Sequence, residues 1–456
     1  MASARLRAGR VRRSACLLGL AGAALACQTP ASIRHRLLTE DLQRSAPTVR
    51  SPSEADASLF ADRERLDRRT LVAAVLERNP NLEVARQAWR AAIARYPQVT
   101  SLDDPMLGVG VAPLSFGSSA VDPGARFDLS QRVPFPGKRR LRGEAALAEA
   151  EAAGQDLETL RLELAALACQ LFDDLVLVAR ALEINTVHAA LLGEAQRTAL
   201  ARYAAGEDEK QSVLQAELAT TRALYERVEL ENQSVLVTQQ INTLLHRAAD
   251  RSLPDPPDAI VLPEGPSDPI EDLVARALAE RPELGAAQAL ARAAEARVDL
   301  AAREFLPDFT LVGAYDRVWQ ETALQPFVGL QLNVPLALGR RRAALEESRA
   351  ELAGREHRRT ALEDDVRLAV ESAALRLAQA RRAEELVRDR LLPAAGEQVD
   401  SARTAYAAGR GGFPALIDAL RERHEIELGH QQARAQIAQR RAELDRALGR
   451  IPGLEW

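Results

Sequence analysis

Most of the chain repeats apolar residues every three or four positions, which is the period of an α-helix. The longest such stretch is predicted to run from about residue 140 to residue 205, and at 1.5 Å per residue it would be roughly 100 Å long. Gly206 is a natural stop for this helix. Its apolar positions form a coiled-coil seam rather than the face of a short globular helix: Leu157, Leu160, Leu164, Leu167, Leu171, Leu175, Val178 and Leu182.

Seven further segments have the helical period. One of them, residues 340–408, is as long as the first. Pro393 should bend it, because proline removes a backbone hydrogen bond and clashes with the preceding turn. The others are predicted at residues 70–78, 81–96, 212–246, 270–280, 283–304 and 414–448.

Four segments of about 10–13 residues have a different period, because apolar residues alternate with small or polar ones. In residues 105–116, Leu107, Val109 and Val111 alternate with glycine and alanine. The other three segments are residues 124–135, 309–319 and 327–336. This period of two predicts β-strands with one apolar face and one small or polar face. Their length and pattern are typical of strands in a membrane barrel.

The same order of elements occurs twice. The tetrapeptide YAAG at residues 203–206 recurs at residues 406–409, and two pairs of prolines repeat at nearly the same offset of roughly 200 residues. The repeat is too long for a solenoid and indicates a duplicated unit with pseudo-symmetry. The predicted organisation is a signal peptide (residues 1–26), an extended leader (27–68), a first repeat (69–249), a proline-rich linker (250–269), a second repeat (270–450) and a short tail (451–456).

Residues 1–26 are expected to be an export signal. A basic start with five arginines precedes a short apolar run that ends in small residues and is too short to span a bilayer. The following Cys27 approximates the lipidated cysteine of a bacterial lipoprotein. Acylation of Cys27 and cleavage of a plain signal peptide are the two alternatives.

Composition and motifs narrow the function classes. The chain has 60 basic and 65 acidic residues and no basic stripe of the kind that binds nucleic acid. No P-loop, nucleophile elbow, HExxH or dinucleotide fingerprint occurs, so we predict no enzyme activity, no catalytic residue and no cofactor. No metal site is predicted either, because the histidines are expected to stand singly, without carboxylate or thiol companions: His188, His246, His357, His424 and His430.

Four strands cannot close a barrel, and an open sheet edge cannot lie in lipid. Membrane strands in this chain would therefore need other subunits to complete a barrel, and the long helices would continue it as a tube. The alternative is a small half-buried sheet on a soluble, exported coiled-coil scaffold. The export signal, the duplication and the small residues on one strand face favour the barrel.

The chain resembles the TolC-like outer-membrane efflux proteins, the OEP family, from about Leu71 to Gly449. Residues 130–138 (SQRVPFPGK) are similar to the strand-to-helix junction of the heavy-metal, CzcC-like branch. The two YAAG tetrapeptides are similar to the hairpin-tip motif of the family. Residues 442–449 (AELDRALG) are similar to its usual C-terminal end.

The resemblance implies a mainly α fold with a small β part. Duplicated helical hairpins would form a long coiled-coil tunnel, and four strands per protomer would contribute to a trimeric, twelve-stranded β-barrel. It also implies a homotrimer in outer-membrane lipid that joins a periplasmic adaptor protein and an inner-membrane pump of the resistance-nodulation-division (RND) class. The CzcC-like features imply heavy-metal cations as cargo, and a duct for drug efflux or type I secretion is the alternative within the family.

In the family, a tyrosine, an aspartate and an arginine near the hairpin tips tie the tunnel shut. Tyr406 matches the tyrosine, whereas the acidic position falls on Ser212 and the basic position on Gly411. The resemblance thus places the periplasmic gate and the adaptor contacts at Tyr203, Gly206, Ser212, Tyr406, Gly409 and Arg410.

Charged residues beside the tips are able to take over the missing gate positions. The simpler expectation is that they are solvated turn residues: Glu207, Asp208, Glu209 and Arg410.

Overall fold

The computed structural model describes residues 29–45, 60, 64–117, 119, 121–263, 265, 268–319 and 321–454. The predicted signal peptide, Cys27 and part of the predicted leader lie outside these residues. The described chain is mainly α-helical and contains a four-stranded sheet, so the predicted fold class is confirmed. None of the helices described is both long and apolar enough to cross a membrane.

Residues 30–44 form a helix, although the sequence predicts an extended leader there. After this first helix, the elements of the second half of the chain follow the order of those in the first half. The first half contains α1 (Pro30–Arg44), α2 (Arg68–Arg78), α3 (Pro80–Thr100), β1 (Met106–Val111), β2 (Ala125–Val133), α4 (Lys138–Ala204) and α5 (Lys210–Leu244). The second half contains α6 (Ile270–Glu280), α7 (Pro282–Arg303), β3 (Phe309–Asp316), β4 (Pro326–Leu332), α8 (Leu338–Leu386), α9 (Leu392–Ala407) and α10 (Phe413–Ala447).

Two helical segments contain an internal proline, which has a different effect in each. A π-helical turn, Val387–Leu391, separates α8 from α9 directly before Pro393, where the sequence predicts an interruption. The helix α3 is longer than predicted, because it continues through Pro97 to Thr100. The carbonyl of Pro97 still accepts a hydrogen bond from Ser101 at 3.1 Å, and Arg139 Nε donates to the carbonyl of Thr100 at 2.8 Å.

The chain divides into two compact units. Unit 1 comprises the described residues of 1–46, 88–151 and 289–355 and contains the sheet. Unit 2 comprises the described residues of 47–87, 152–288 and 356–456 and contains both helical hairpin tips.

The sheet of unit 1 is an antiparallel meander in the order β1-β2-β3-β4. One row of its register runs from Leu107 through Leu129 and Gly313 to Val328. The strand β1 is shorter than predicted because a 3₁₀ turn begins at Pro113. Proline is suited to the start of such a turn and has no N–H group for a strand ladder.

The two faces of the sheet differ in polarity. Residues opposite each other on antiparallel strands point to the same side, so the register gathers the apolar residues on one face. These side chains are all exposed in the protomer: Leu107, Val109, Val111, Phe127, Leu129, Leu311, Tyr315, Val328, Leu330 and Leu332. The other face includes Gly108, Arg126, Asp128, Ser130, Ala314 and Gly329, together with the apolar Met106, Val312 and Phe327. The predicted alternation is therefore confirmed except at these three apolar positions.

A buried ion pair joins the ends of β2 and β3 to the start of α4. The Lys138 side chain is 1% exposed, and its Nζ donates to Asp308 Oδ1 at 2.9 Å and to the carbonyl of Leu306 at 3.1 Å. Asp308 also accepts hydrogen bonds from the backbone N–H of Phe135 at 3.0 Å and from Arg132 at 2.8 Å. Burial acts to raise the pKa of Asp308, but these hydrogen bonds and the Lys138 charge lower it to about 2.

Two apolar clusters hold unit 2 together. The first joins α6, α7, α8 and α10 through Leu273, Leu284, Val370, Leu377 and Leu444. The second, which we call the tip cluster, joins α4, α5, α9 and α10. Its buried members are Leu192, Ala195, Ala199, Ala216, Ala223, Val399, Tyr406, Phe413, Leu416, Ala419 and Leu420. Alanine at many of these contacts lets the helices approach closely.

We expect Asp308→Asn to destabilise the protein, because it removes the buried charged partner of Lys138 and leaves only the more exposed Glu304, whose carboxylate lies 3.3 Å from Nζ. Breaking a buried pair outright costs about 3–5 kcal/mol, so with Glu304 still present we expect a smaller loss and a lower melting temperature at pH 7. Glu346→Gln is the matched control, since Glu346 pairs with Arg349 on the exposed surface of α8. Circular dichroism at fixed protein and detergent concentration measures both. Equal melting of the Asp308 variant and the wild type would contradict the prediction.

The same pair predicts how stability depends on pH. Because the pKa of Asp308 is lower in the folded state, its contribution is present above the ordinary aspartate value of 3.8 and is lost as the pH falls through about 2. The stability difference between the wild type and Asp308→Asn should therefore shrink in that window.

Candidate functional site at the hairpin tips

Two helical hairpins end close together in unit 2. The first hairpin turns between α4 and α5 at residues 205–209, and the second turns between α9 and α10 at residues 408–412. Side-chain hydrogen bonds connect the two turns directly. The duplicated YAAG tetrapeptides are thus neighbours in the fold, although they are far apart in the chain.

Gly206 and Gly409 end the first helix of each hairpin in the same way. Their φ angles are +74° and +70°, a left-handed conformation that favours glycine. At the first tip the N–H of Glu207 donates to the carbonyl of Arg202, and at the second the N–H of Arg410 donates to that of Ala405, both at 2.9 Å. These are the bonds of a helix-ending Schellman motif. The predicted helix stops are therefore confirmed at both tips.

Asp208 is the centre of the contact between the tips. The Tyr406 hydroxyl of the second hairpin donates to Asp208 Oδ2 at 2.6 Å. Within the first hairpin, Ser212 Oγ and the backbone N–H of Glu209 donate to Asp208 Oδ1 at 2.8 and 2.7 Å. The carboxylate lies just before the first residue of α5, where the helix dipole favours negative charge.

Arg202 makes the reverse contact, from the first hairpin to the second. Its Nη1 donates to the carbonyl of Tyr406 at 2.8 Å, and its guanidinium carbon lies 5.0 Å from the centre of the Tyr406 ring. The contact places a cation beside the last turn of α9, where the helix dipole favours positive charge. Both charges therefore come from the first hairpin: Asp208 accepts the hydrogen bond from the Tyr406 hydroxyl, and Arg202 lies beside the C-terminal end of α9.

The Tyr406 ring is part of the apolar interior. It is 3% exposed and packs edge-on against Phe413, with ring centres 5.3 Å apart. Burial, followed by the hydrogen bond to Asp208, raises the pKa of the Tyr406 hydroxyl. Burial also acts to raise the pKa of Asp208, but the hydrogen bonds from Tyr406, Ser212 and Glu209 hold it below its ordinary value.

The structure brings some of the predicted tip residues together. Tyr406 and Ser212 both bond Asp208, and Gly206 and Gly409 shape the turns. Tyr203 and Arg410 are exposed.

The expectation that Asp208 is a solvated turn residue is wrong, because it accepts the bond between the hairpins. Asp208 stands four positions before Ser212, and the backbone at the start of α5 brings the two side chains within hydrogen-bond distance. Arg202 is not among the predicted tip residues, although it stands directly before the first YAAG tetrapeptide.

The expectation that every histidine stands alone is also wrong. The ring of His188 on α4 stacks on that of His424 on α10, and His424 Nε2 lies 3.0 Å from both carboxylate oxygens of Glu226 on α5. His430 Nε2 lies 3.1 Å from Glu384. In the part of the chain that the structure describes, however, no group of three or more potential ligand residues is arranged to hold a metal ion.

A protomer with duplicated helical hairpins and a four-stranded sheet belongs to the TolC-like class of channel folds. Residues 273–450 match the family model described as "Outer membrane efflux protein". The matched residues lie in the second predicted repeat, and the match agrees with the family that the sequence motifs indicate. No curated protein matches the chain in sequence.

Solved structures agree with this class. The outer-membrane channel OprN is 21% identical, with a TM-score of 0.72 over 86% of this chain and 91% of that one. The channel-forming protein CusC is 15% identical, with a TM-score of 0.74 over 85% of this chain and 93% of that one. The outer membrane protein VceC of Vibrio cholerae is 19% identical, with a TM-score of 0.71 over 88% of this chain and 97% of that one. These similarities span nearly the whole of each protein and establish the fold of the protomer.

We expect Tyr406→Phe to loosen the contact between the tips, because it removes the bond to Asp208 but keeps the buried ring. A hydrogen bond to a charged group contributes about 1.5–3 kcal/mol, so amide hydrogen exchange in residues 205–212 and 404–412 should accelerate about tenfold or more. Tyr203→Phe is the control, because Tyr203 has the equivalent place in the first tip and is 45% exposed. Unchanged exchange in the Tyr406 variant would contradict the prediction.

Proposed function

We propose that three copies of this protein form an outer-membrane efflux channel. The observation that carries the proposal is the sheet, which exposes an apolar face and leaves one long side of β1 and one of β4 without a strand partner among the described residues. The family match of residues 273–450 supports the same assignment. Such a channel performs no reaction, and a pump supplies the energy for export.

The strand order suits closure by further copies. Unpaired backbone groups at a sheet edge are costly in lipid, so both edges need partners. Neighbouring strands are antiparallel throughout, and four is an even number, so β4 of one copy has the right direction to pair antiparallel with β1 of the next. Three copies would give the twelve-stranded barrel that the family resemblance implies.

The two faces of the sheet suit lipid on one side and water on the other. The exposed apolar face provides the band that a membrane barrel presents to lipid. On the opposite face, Arg126 lies 3.6 Å from Asp128 and 3.9 Å from Asp316, so charged groups are grouped there. This face would line the channel.

Adjacent residues of β2 provide a direct test. Leu129→Arg places a charge on the apolar face, which costs about 2–4 kcal/mol near the middle of a bilayer. We therefore expect loss of the trimer from the outer-membrane fraction. Ser130→Arg is the matched control, because Ser130 points to the opposite face and should leave membrane assembly intact.

Cell fractionation and the heat-dependent migration of the trimer on gels measure the outcome. Equal assembly of both arginine variants would contradict the lipid-facing assignment. A wild-type protein found as a soluble monomer would favour the exported coiled-coil scaffold.

The hairpin tips are the proposed periplasmic gate and adaptor-docking site. The bonds of Tyr406 to Asp208 and of Arg202 to Tyr406 support this role, because they tie one hairpin to the other and are few enough to be released together. In this proposal the channel works with a periplasmic adaptor and an inner-membrane RND pump. The exposed Tyr203 and Arg410 are then available for the adaptor.

Heavy-metal cations are the proposed cargo, on the strength of the CzcC-like junction at residues 130–138. A deletion strain should lose tolerance to at least one of zinc, cobalt, cadmium, copper and silver, and the intact gene should restore it. Unchanged tolerance to all five, with lost tolerance to drugs or lost protein secretion, would instead favour the alternative duct for drug efflux or type I secretion.

The domain boundaries and the processing of the N-terminus are also proposed. We propose that residues 1–26 direct export and that Cys27 carries a lipid anchor. The two repeats, residues 69–249 and 270–450, would then act as the halves of one channel protomer.

A further inference from the structure

Three helices of unit 2 meet at a group of histidine and carboxylate side chains. The His188 ring from α4 and the His424 ring from α10 are stacked, with centres 4.1 Å apart and planes inclined by 14°. Glu226 from α5 lies 3.0 Å from His424 Nε2 through both of its oxygens. Asn185 on α4 donates to Glu226 Oε2 and to the carbonyl of Ala223, each at 3.1 Å. We call these four side chains the histidine cluster.

Burial makes this cluster sensitive to added protons. His424 is 6% exposed and Asn185 is 1% exposed. The carboxylate of Glu226 requires a proton on His424 Nε2, so a neutral His424 carries its lone pair on Nδ1. That buried Nδ1 has no hydrogen-bond partner among the described residues. A proton on the partly buried His188 ring would add charge beside this stack, where little water is present to stabilise it.

The histidine cluster continues the tip cluster along the same helices. His188 stands one turn before Leu192, Glu226 follows Ala223 by three residues, and His424 stands one turn after Leu420. The three apolar residues belong to the tip cluster. A change that separates the two imidazole rings would therefore act on the packing between the first and second hairpins.

We propose that the histidine cluster is a proton-operated latch that holds α10 against α4 and α5 at neutral pH and releases it in acid. In the latched state the neutral His188 ring stacks on the His424 ring. Protonation of His188 places a positive charge in this partly buried stack, and separation of the helices admits water that solvates the charge.

The direction of the pH effect follows from the environment of His188. Burial first, and then the neighbouring His424, lower the pKa of His188 to about 4, while Glu226 opposes the shift. His424 from α10 and Glu226 from α5 are the titratable groups that act on it. A separated helix restores the ordinary value of 6.5, so the latch is intact above that pH and weakens as the pH falls from 6.5 towards 4.

The latch itself does not depend on the channel assignment, although its effect on the gate rests on the proposed function. Spin labels at Val187→Cys on α4 and Glu425→Cys on α10 report the separation of the helices, since both positions are exposed and the native Cys169 is buried. The full-length protein is used, with labelled copies diluted into unlabelled ones so that distances within one copy dominate.

Pulsed electron–electron distance measurements between pH 7.5 and 4 should show a reversible shift towards longer distances. For a single proton the ratio of separated to latched molecules rises at most about tenfold per pH unit. His188→Gln should abolish the shift, and His357→Gln, which changes an exposed histidine on α8, should retain it. Glu226→Gln should leave the onset near pH 6.5 in place and increase the separation reached towards pH 4, because the loss of Glu226 lowers the pKa of His188 in the latched state further.

The variants also distinguish a failure to fold from a loss of the latch. Helix content by circular dichroism at pH 7.5 identifies any variant that does not fold, and Glu226→Gln then supplies an independent result. A constant distance in the wild type, or the same transition in folded His188→Gln, would overturn the latch. Conductance of the reconstituted protein is read separately: its absence, with the pH-dependent distance intact, would count against the channel and not against the latch.

Discussion

The backbone hydrogen bonds at the edges of a four-stranded sheet are the constraint on which the rest depends. The strands β1 to β4 satisfy one another in one antiparallel sheet, but the two outer strands do not close on each other. The apolar face of that sheet is exposed in the protomer. A single protomer therefore leaves backbone N–H and C=O groups at the sheet edges unpaired and the apolar side chains of that face uncovered. In the proposed channel, lipid on the apolar face and further copies at both edges would satisfy both requirements together.

The ends of the strands and the tips of the hairpins use charge in different ways. At the strand ends, Lys138 and Asp308 form a buried pair with several further hydrogen bonds, an arrangement that is costly to break. At the tips, Asp208 is only partly buried and receives a single bond from the other hairpin. The first arrangement suits a fixed joint, and the second suits a contact that opens. In the proposed latch, the histidine cluster adds a contact whose strength varies with the protonation of His188.

Much of the fold could be predicted because local patterns carry it. The α4 seam with leucine at every third or fourth position, the alternation around Leu107 and Leu129, and the glycines after each YAAG motif all describe interactions of near neighbours. The sequence predictions are wrong where contacts between residues far apart in the chain determine the local structure. The helix α3 passes through Pro97 and ends under Arg139, and Asp208 meets Tyr406 across 198 residues of chain.

The sequence by itself determined the periods, the duplication and the positions of the turns, because each arises from backbone geometry and from side chains a few residues apart. Only the tertiary structure decided which charged residues become partners. Asp208 rather than Ser212 accepts a hydrogen bond from the Tyr406 hydroxyl, Arg202 supplies the guanidinium that joins the two tips, and His188 stacks on His424. Those pairings depend on how the helices pack side by side, and short-range spacing carries no information about that packing.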